Sequence, residues 1–150
     1  MSHCLFVEDH ADTRDGYAEL LSFEGITVHI AASGEELWPL LAVDIPDAIV
    51  MDLHLPGTDG WMLIRELRAQ EAWKRVPVLV VSACVREIDR EQAFEAGCDA
   101  FLGKPCDPLD LVAELKRLIG RSPQAAERVT TAAVSAGATA GNSITSPSTV

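Results

Sequence analysis

Short apolar runs alternate with helix-length segments five times over the first 120 residues, and two of those runs end in acids. Cys4-Leu5-Phe6-Val7 leads into Glu8 and Asp9, and Asp47–Met51 leads into Asp52. Runs this apolar predict strands buried on both faces, which is the pattern of a parallel sheet covered by helices. Carboxylates at the ends of two such strands meet at one edge of the sheet. Lys104, followed by Pro105, ends a further run and joins them. Acids and a lysine gathered this way suit a divalent cation beside a carboxylate nucleophile.

The intervening segments carry helix signals. Ala11 to Phe23 has Tyr17, Leu20 and Leu21 at helical spacing, Asp12 as its expected N-cap and Gly25 as its stop. Ile26–Ala31 reads as the second strand. Ser33 to Ala42 opens on Ser33-x-x-Glu36, the spacing of a capping box, and contains Pro39, which is expected to kink or shorten it. Asp59 to Gln70 places Met62 or Leu63, Ile64 and Leu67 inward. Val76–Val81 is a nearly all-β-branched strand that ends in Ser82. Arg86 to Ala96 is a helix stopped by Gly97, and Ala100-Phe101-Leu102 is the fifth strand. Asp107 caps a last helix that has Pro108 in its first turn and Leu111, Leu115 and Leu118 as its stripe.

Composition narrows the class. The chain has 150 residues, 48% of them hydrophobic, and a formal net charge of −11. That charge argues against direct nucleic-acid binding, which needs basic faces. No run approaches the roughly 18 apolar residues of a membrane helix, and the start lacks the basic region of a signal peptide, so a cytoplasmic protein is expected. Cys4, Cys84, Cys98 and Cys106 show no CxxC pairing and read as reduced thiols. Residues 1–120 hold 22 acids against 10 Lys/Arg, whereas residues 121–150 hold only Arg121, Glu127 and Arg128 among Ala, Ser, Thr and Gly. Such a segment buries too little to offset its chain entropy. The expected organisation is one domain over 1–120 and a flexible tail over 121–150.

Five βα units with short connections give an α/β doubly wound parallel sheet. The common five-strand solution is the flavodoxin-like order 2-1-3-4-5, with its site where strands one and three diverge. Glu8, Asp9 and Asp52 fall at that crevice.

Phe6-Val7-Glu8-Asp9-His10, Ile49 to Gly57, Asp59-Gly60, Val80-Val81-Ser82-Ala83, Gly97-Cys98-Asp99-Ala100-Phe101 and Lys104-Pro105 occur in order and at family spacing over roughly residues 3–120. Together they resemble the receiver domain of bacterial response regulators. The resemblance implies a phospho-acceptor switch of a two-component system or phosphorelay. Asp52 would accept the phosphoryl group as an acyl phosphate. Mg²⁺ would be held by Asp9 and Asp52, by Glu8 mostly through water, and by the backbone carbonyl of His54. Lys104 would pair with phosphoryl oxygens, the Ser82 hydroxyl would donate to another, and Lys104-Pro105 would be cis. Ser82 and Phe101 match the switch pair, and Phe101 without a hydroxyl makes only apolar contacts. The fourth helix, fifth strand and fifth helix would be the output face, through which receivers often homodimerise.

Two residues bordering the nucleophile are candidates for tuning. His54, two residues after Asp52, would alter the lifetime of the acyl phosphate. Cys84, two after Ser82, would be oxidation-sensitive only with a lowered pKa, and an inert thiol is the simpler reading. The partners implied are a histidine kinase or a histidine phosphotransfer protein upstream and an unspecified protein downstream. The tail is too short and polar for an output domain, so a stand-alone receiver with no separate enzyme activity is expected. A receiver segment of a hybrid histidine kinase has the same sequence pattern. A phosphate-independent module of this fold is disfavoured by the complete set of Glu8, Asp9, Asp52, Ser82 and Lys104. An aspartyl-phosphate hydrolase typically carries an acid where His54 stands, and no GxGxxG follows the first strand for a dinucleotide.

Overall fold

The computed structural model describes residues 2–55, 57–83 and 86–121. The tail beyond residue 121 and Cys84 lie outside the described residues. Strands β1 (Ser2–Val7), β2 (Ile26–Ala31), β3 (Ala48–Met51), β4 (Val78–Ser82) and β5 (Ala100–Gly103) alternate with helices α1 (Ala11–Phe23), α2 (Gly34–Val43), α3 (Gly60–Ala69), α4 (Glu87–Ala96) and α5 (Pro108–Gly120). The strands form one parallel sheet in the order β2-β1-β3-β4-β5, as expected.

Because side chains alternate across a strand, each apolar run supplies two cores. Leu5, Val7, Ile49, Met51, Val78 and Val80 point to one face, where they meet Leu37, Leu41, Leu63, Ile64, Leu67 and Ala93 of α2, α3 and α4. Cys4, Phe6, Ala48, Val50, Leu79 and Val81 point to the other, against Leu21 of α1 and Leu111, Leu115 and Leu118 of α5. This two-sided burial is why β3 and β4 show no polar alternation, whereas the edge strand β2 does, with Thr27 and His29 exposed. It also makes Cys4 and Cys98 inert: burial pushes each thiol up to about 12.

Register carries the site into place. Val7 pairs with Ala31 on one side and Met51 on the other. The ladder then runs one step further, with the Glu8 N–H donating to the Ala31 carbonyl at 3.0 Å and the Asp52 N–H to the Val7 carbonyl at 3.1 Å. On the far side Ser82 pairs with Gly103, and the Lys104 N–H donates to the Ser82 carbonyl at 2.8 Å. The Lys104-Pro105 peptide is cis. After Asp52 the chain forms a two-residue antiparallel ribbon, His54–Leu55 against Thr58–Asp59, which no sequence signal had indicated. Gly57 in this turn has φ +66°.

The opposite edge is closed by Arg68 of α3. Its guanidinium donates to the carbonyls of Gly97 (2.8 Å), Val76 (2.7 Å) and Lys74 (3.1 Å) and to the Asp99 carboxylate (2.8 Å). The same carboxylate oxygen accepts from the Val78 N–H at 2.8 Å.

Three local expectations differ from the structure. The N-cap of α1 is His10, with no side-chain cap, because the helix starts at Ala11; Asp12 lies in the first turn, where its charge favours the helix dipole instead. Ser33 is the N-cap of α2 but its hydroxyl makes no cap bond, and Glu36 reaches past it to the Ala32 N–H at 2.9 Å. Pro39 does not shorten α2, which runs on to Val43. Leu37 and Leu41 are fully buried, and about 1.5–3 kcal/mol from each offsets the roughly 3 kcal/mol cost of an interior proline. The cap at Asp107 forms as expected, accepting from the Leu109 N–H at 2.9 Å, and Asp59 caps α3 in the same way through the Trp61 N–H at 2.9 Å.

Gly60 opens α3 directly beneath the site. A Cβ there would stand 2.6 Å from the Leu53 Cα and 2.8 Å from the Asp52 carbonyl oxygen. Alanine normally gains up to about 1 kcal/mol over glycine in a helix. Gly60→Ala should instead lose about 2 kcal/mol in urea unfolding through overpacking; a gain would show that the backbone there yields freely.

Candidate functional site

Four chain segments converge at the C-terminal edge of the sheet: the ends of β1, β3 and β5, and the ribbon after β3. Glu8 is 1% exposed and Asp52 7%, so two carboxylates are buried at adjacent strand ends. Lys104 reaches between them, its Nζ 2.8 Å from Glu8 Oε1 and 3.0 Å from Asp52 Oδ2. Burial alone would lower the Lys104 pKa, but its hydrogen bonds to Glu8 and Asp52 outweigh this and hold it above the usual 10.5. The other Asp52 oxygen, Oδ1, accepts from the His54 backbone N–H at 3.0 Å. Both oxygens of the expected nucleophile are therefore oriented, one by a charge and one by the ribbon.

The structure brings Glu8, Asp52 and Lys104 into direct contact, and Asp9 joins them at the same edge beside Glu8 and His10. It also adds His10, which the sequence reading had quoted only as part of the motif. The His10 Nδ1 lies 3.1 Å from Glu8 Oε2 and 3.3 Å from Asp9 Oδ1, and its backbone N–H donates to Glu8 Oε2 at 3.3 Å. The signal was its adjacency to two acids. Ser82 is fully buried at the end of β4, one strand over from Asp52. Phe101 is buried on β5, with the Arg90 guanidinium 5.0 Å from its ring centroid.

His54 is exposed on the ribbon, and its imidazole meets Trp61 edge-on at 6.1 Å. Trp61 in turn donates its Nε1–H to the Asp89 carbonyl at 3.3 Å. This tryptophan links the ribbon to α4, a long-range contact for which the sequence carries no signal. Beside it, the hydrogen-bonded Arg86 guanidinium holds the Asp89 carboxyl below its usual range.

Three carboxylates and one ammonium leave two formal negative charges at the cleft. The donors of Glu8, Asp9 and Asp52 are hard oxygens, and a ligand atom from each of Glu8, Asp9 and His10 lies within 4.8 Å of the others. That set fits a small divalent cation.

A doubly wound parallel sheet with its charged side chains at the switch point belongs to the open α/β class that binds ligands beyond the carboxyl ends of its strands. Residues 4–116 match the response regulator receiver domain, and the chain belongs to that family. The response regulator Rre1 of Synechocystis sp. is 33% identical over 118 residues, which is 78% of this chain but 51% of that protein. An uncharacterized 14.6 kDa protein of Leptolyngbya boryana is 36% identical over 108 residues, 72% of this chain and 82% of the other. Among solved structures, the receiver domain of the sensor histidine kinase PA1611 from Pseudomonas aeruginosa, with a magnesium ion in its active-site cleft, aligns with a TM-score of 0.73. The two are 34% identical, over 79% of this chain and 98% of that one. The chain spans about half the length of Rre1 and similar full-length regulators.

Lys104 should be a stabilising group as well as a site residue. Lys104→Met leaves Glu8 and Asp52 facing each other without a cation, and should cost about 2 kcal/mol at neutral pH, less than a fully buried pair because the lysine is partly exposed. A folded-state pKa above the unfolded one means the contribution is fully present below 10.5 and is lost as pH rises through the raised value. Urea unfolding of both proteins between pH 7 and 11.5 should show a constant gap that closes at the alkaline end; a gap that widens there would reject the assignment.

Proposed function

We propose that this receiver is a phospho-acceptor that takes a phosphoryl group on Asp52 in a reaction that needs Mg²⁺. The observation that carries the reading is the Lys104 ammonium, 2.8 and 3.0 Å from Glu8 and Asp52, because phosphoryl transfer is mainly positioning and charge neutralisation. The donor would be a histidine kinase or a histidine phosphotransfer protein. The phosphorus–nitrogen bond of phosphohistidine breaks as an Asp52 carboxylate oxygen bonds to phosphorus. Asp9 and Asp52 would hold the cation directly, with Glu8 through water and the His54 carbonyl as a further ligand. The bound cation supplies charge neutralisation for the phosphoryl oxygens.

In the phosphorylated state Lys104 exchanges its Asp52 contact for a phosphoryl oxygen. The Ser82 hydroxyl donates to another, and Phe101 follows on β5. These changes would alter the face formed by α4, β5 and α5, which would bind a downstream protein or a second copy of the chain. His54, two residues after Asp52 and bonded to it through its backbone N–H, would set the lifetime of the acyl phosphate. None of the described helices is long and apolar enough to cross a membrane, in keeping with action in the cytoplasm.

Intact mass after incubation with acetyl phosphate tests the centre. One phosphoryl adduct should form on the parent with Mg²⁺, and none without Mg²⁺ or on Asp52→Asn. An adduct that persists on Asp52→Asn would reject Asp52 as the acceptor. In the same assay, the adduct on His54→Asn should decay at a rate several-fold different from the parent; equal half-lives would remove His54 from the mechanism.

A further inference from the structure

We infer that His10 supplies a nitrogen ligand to the cation pocket, so that the pocket takes borderline first-row divalent ions such as Co²⁺ or Zn²⁺ in a way a purely oxygen-lined cleft does not. The inference rests on the reading of Glu8, Asp9 and Asp52 as a cation pocket and extends it to the class of ion.

The geometry is the argument. His10 Nδ1 lies 3.1 Å from Glu8 Oε2 and 3.3 Å from Asp9 Oδ1. Two donors on one cation with bonds of about 2.1 Å lie about 3.0 Å apart at right angles, and about 3.4 Å apart at the tetrahedral angle. Both spacings to His10 fall in that interval, so an ion could enter between imidazole and carboxylates with little movement of the ligands. The Nδ1 atom therefore faces the acids rather than solvent, although the side chain as a whole is 71% exposed. Glu8 is committed on its other oxygen, where Lys104 sits at 2.8 Å, so Oε2 is the oxygen turned toward this pocket. The backbone N–H of His10 also points to Oε2, at 3.3 Å, and fixes the loop that carries the ring.

Ligand type then decides selectivity. Mg²⁺ prefers oxygen donors and keeps its waters. Imidazole suits Co²⁺ and Zn²⁺, and affinity for nitrogen-containing sites rises through the first-row series. Adding one imidazole should therefore leave Mg²⁺ binding nearly unchanged and strengthen the later ions.

The bland role for His10 is a hydrogen bond that orients Glu8, and asparagine separates the two. An asparagine amide can donate to a carboxylate but offers no imidazole nitrogen. The experiment is calorimetric titration of the parent, His10→Ala and His10→Asn with Mg²⁺ and with Co²⁺, with the visible absorption of bound Co²⁺ as a second readout. Both variants should lose roughly tenfold or more in Co²⁺ affinity, with a changed Co²⁺ spectrum and Mg²⁺ affinity within about twofold of the parent. Unchanged Co²⁺ affinity, or full recovery in His10→Asn, would overturn the ligand role. If Mg²⁺ and Co²⁺ both fail to bind the parent, the cation pocket itself is wrong and this inference falls with it; a parent that binds Mg²⁺ while its Co²⁺ affinity ignores His10 refutes only the inference.

Discussion

Burying carboxylates side by side is the constraint on which this molecule is organised. At an effective dielectric of about 20, two like charges 4 Å apart repel by roughly 4 kcal/mol. Glu8 and Asp52 are both nearly inaccessible to water, which would otherwise screen them. The ammonium of Lys104 makes the arrangement tolerable, and it does so from a third strand. The order of the sheet follows functionally from this: β1 and β3 must be neighbours to juxtapose the acids, and β5 must end at the same edge to deliver the lysine. Each hydrophobic run is thus also a positioning device, since one step of register would turn the acids away from the cleft.

Much of this was legible in the sequence because two simple periods carry it. Wholly apolar runs gave the sheet and its two covered faces, and the acids at their ends marked the edge where a ligand belongs. Glu8, Asp52 and Lys104 meet at that edge, and the cap at Asp107 forms where Pro108 marks the helix start. What failed was short-range side-chain choice. Asp12 has the right chemistry for a cap but the helix starts one residue before it, and Ser33 stands at the N-cap position without its hydroxyl bonding the backbone, while Glu36 takes the Ala32 N–H instead. The same limit hid the ribbon after Asp52, whose two-residue strands are too short to show any period.

His10 and Trp61 are a different case. His10 contacts the acids one and two residues before it, an adjacency visible in the sequence, whereas Trp61 spans from the ribbon to Asp89 on α4. No spacing rule announces the Trp61 contact, or which way the His10 ring turns. They depend on the direction a side chain takes from a loop or helix end, which emerges only once the strands are assembled.

The clamp at Arg68 gives the helix α4 a mechanical character. Its C-terminal carbonyl at Gly97 is held by the guanidinium, which also grips Asp99 and the segment leading into β4. Towards its N-terminal end, α4 is tied to α3 by the Trp61 indole and to β5 by Arg90 over the Phe101 ring, and Asp89 and Ala93 are buried against the fold. A rod tied at both ends is a strut: α4 joins the Arg68 clamp at the far edge of the sheet to the ribbon that follows Asp52, so these two distant parts of the molecule share one rigid element.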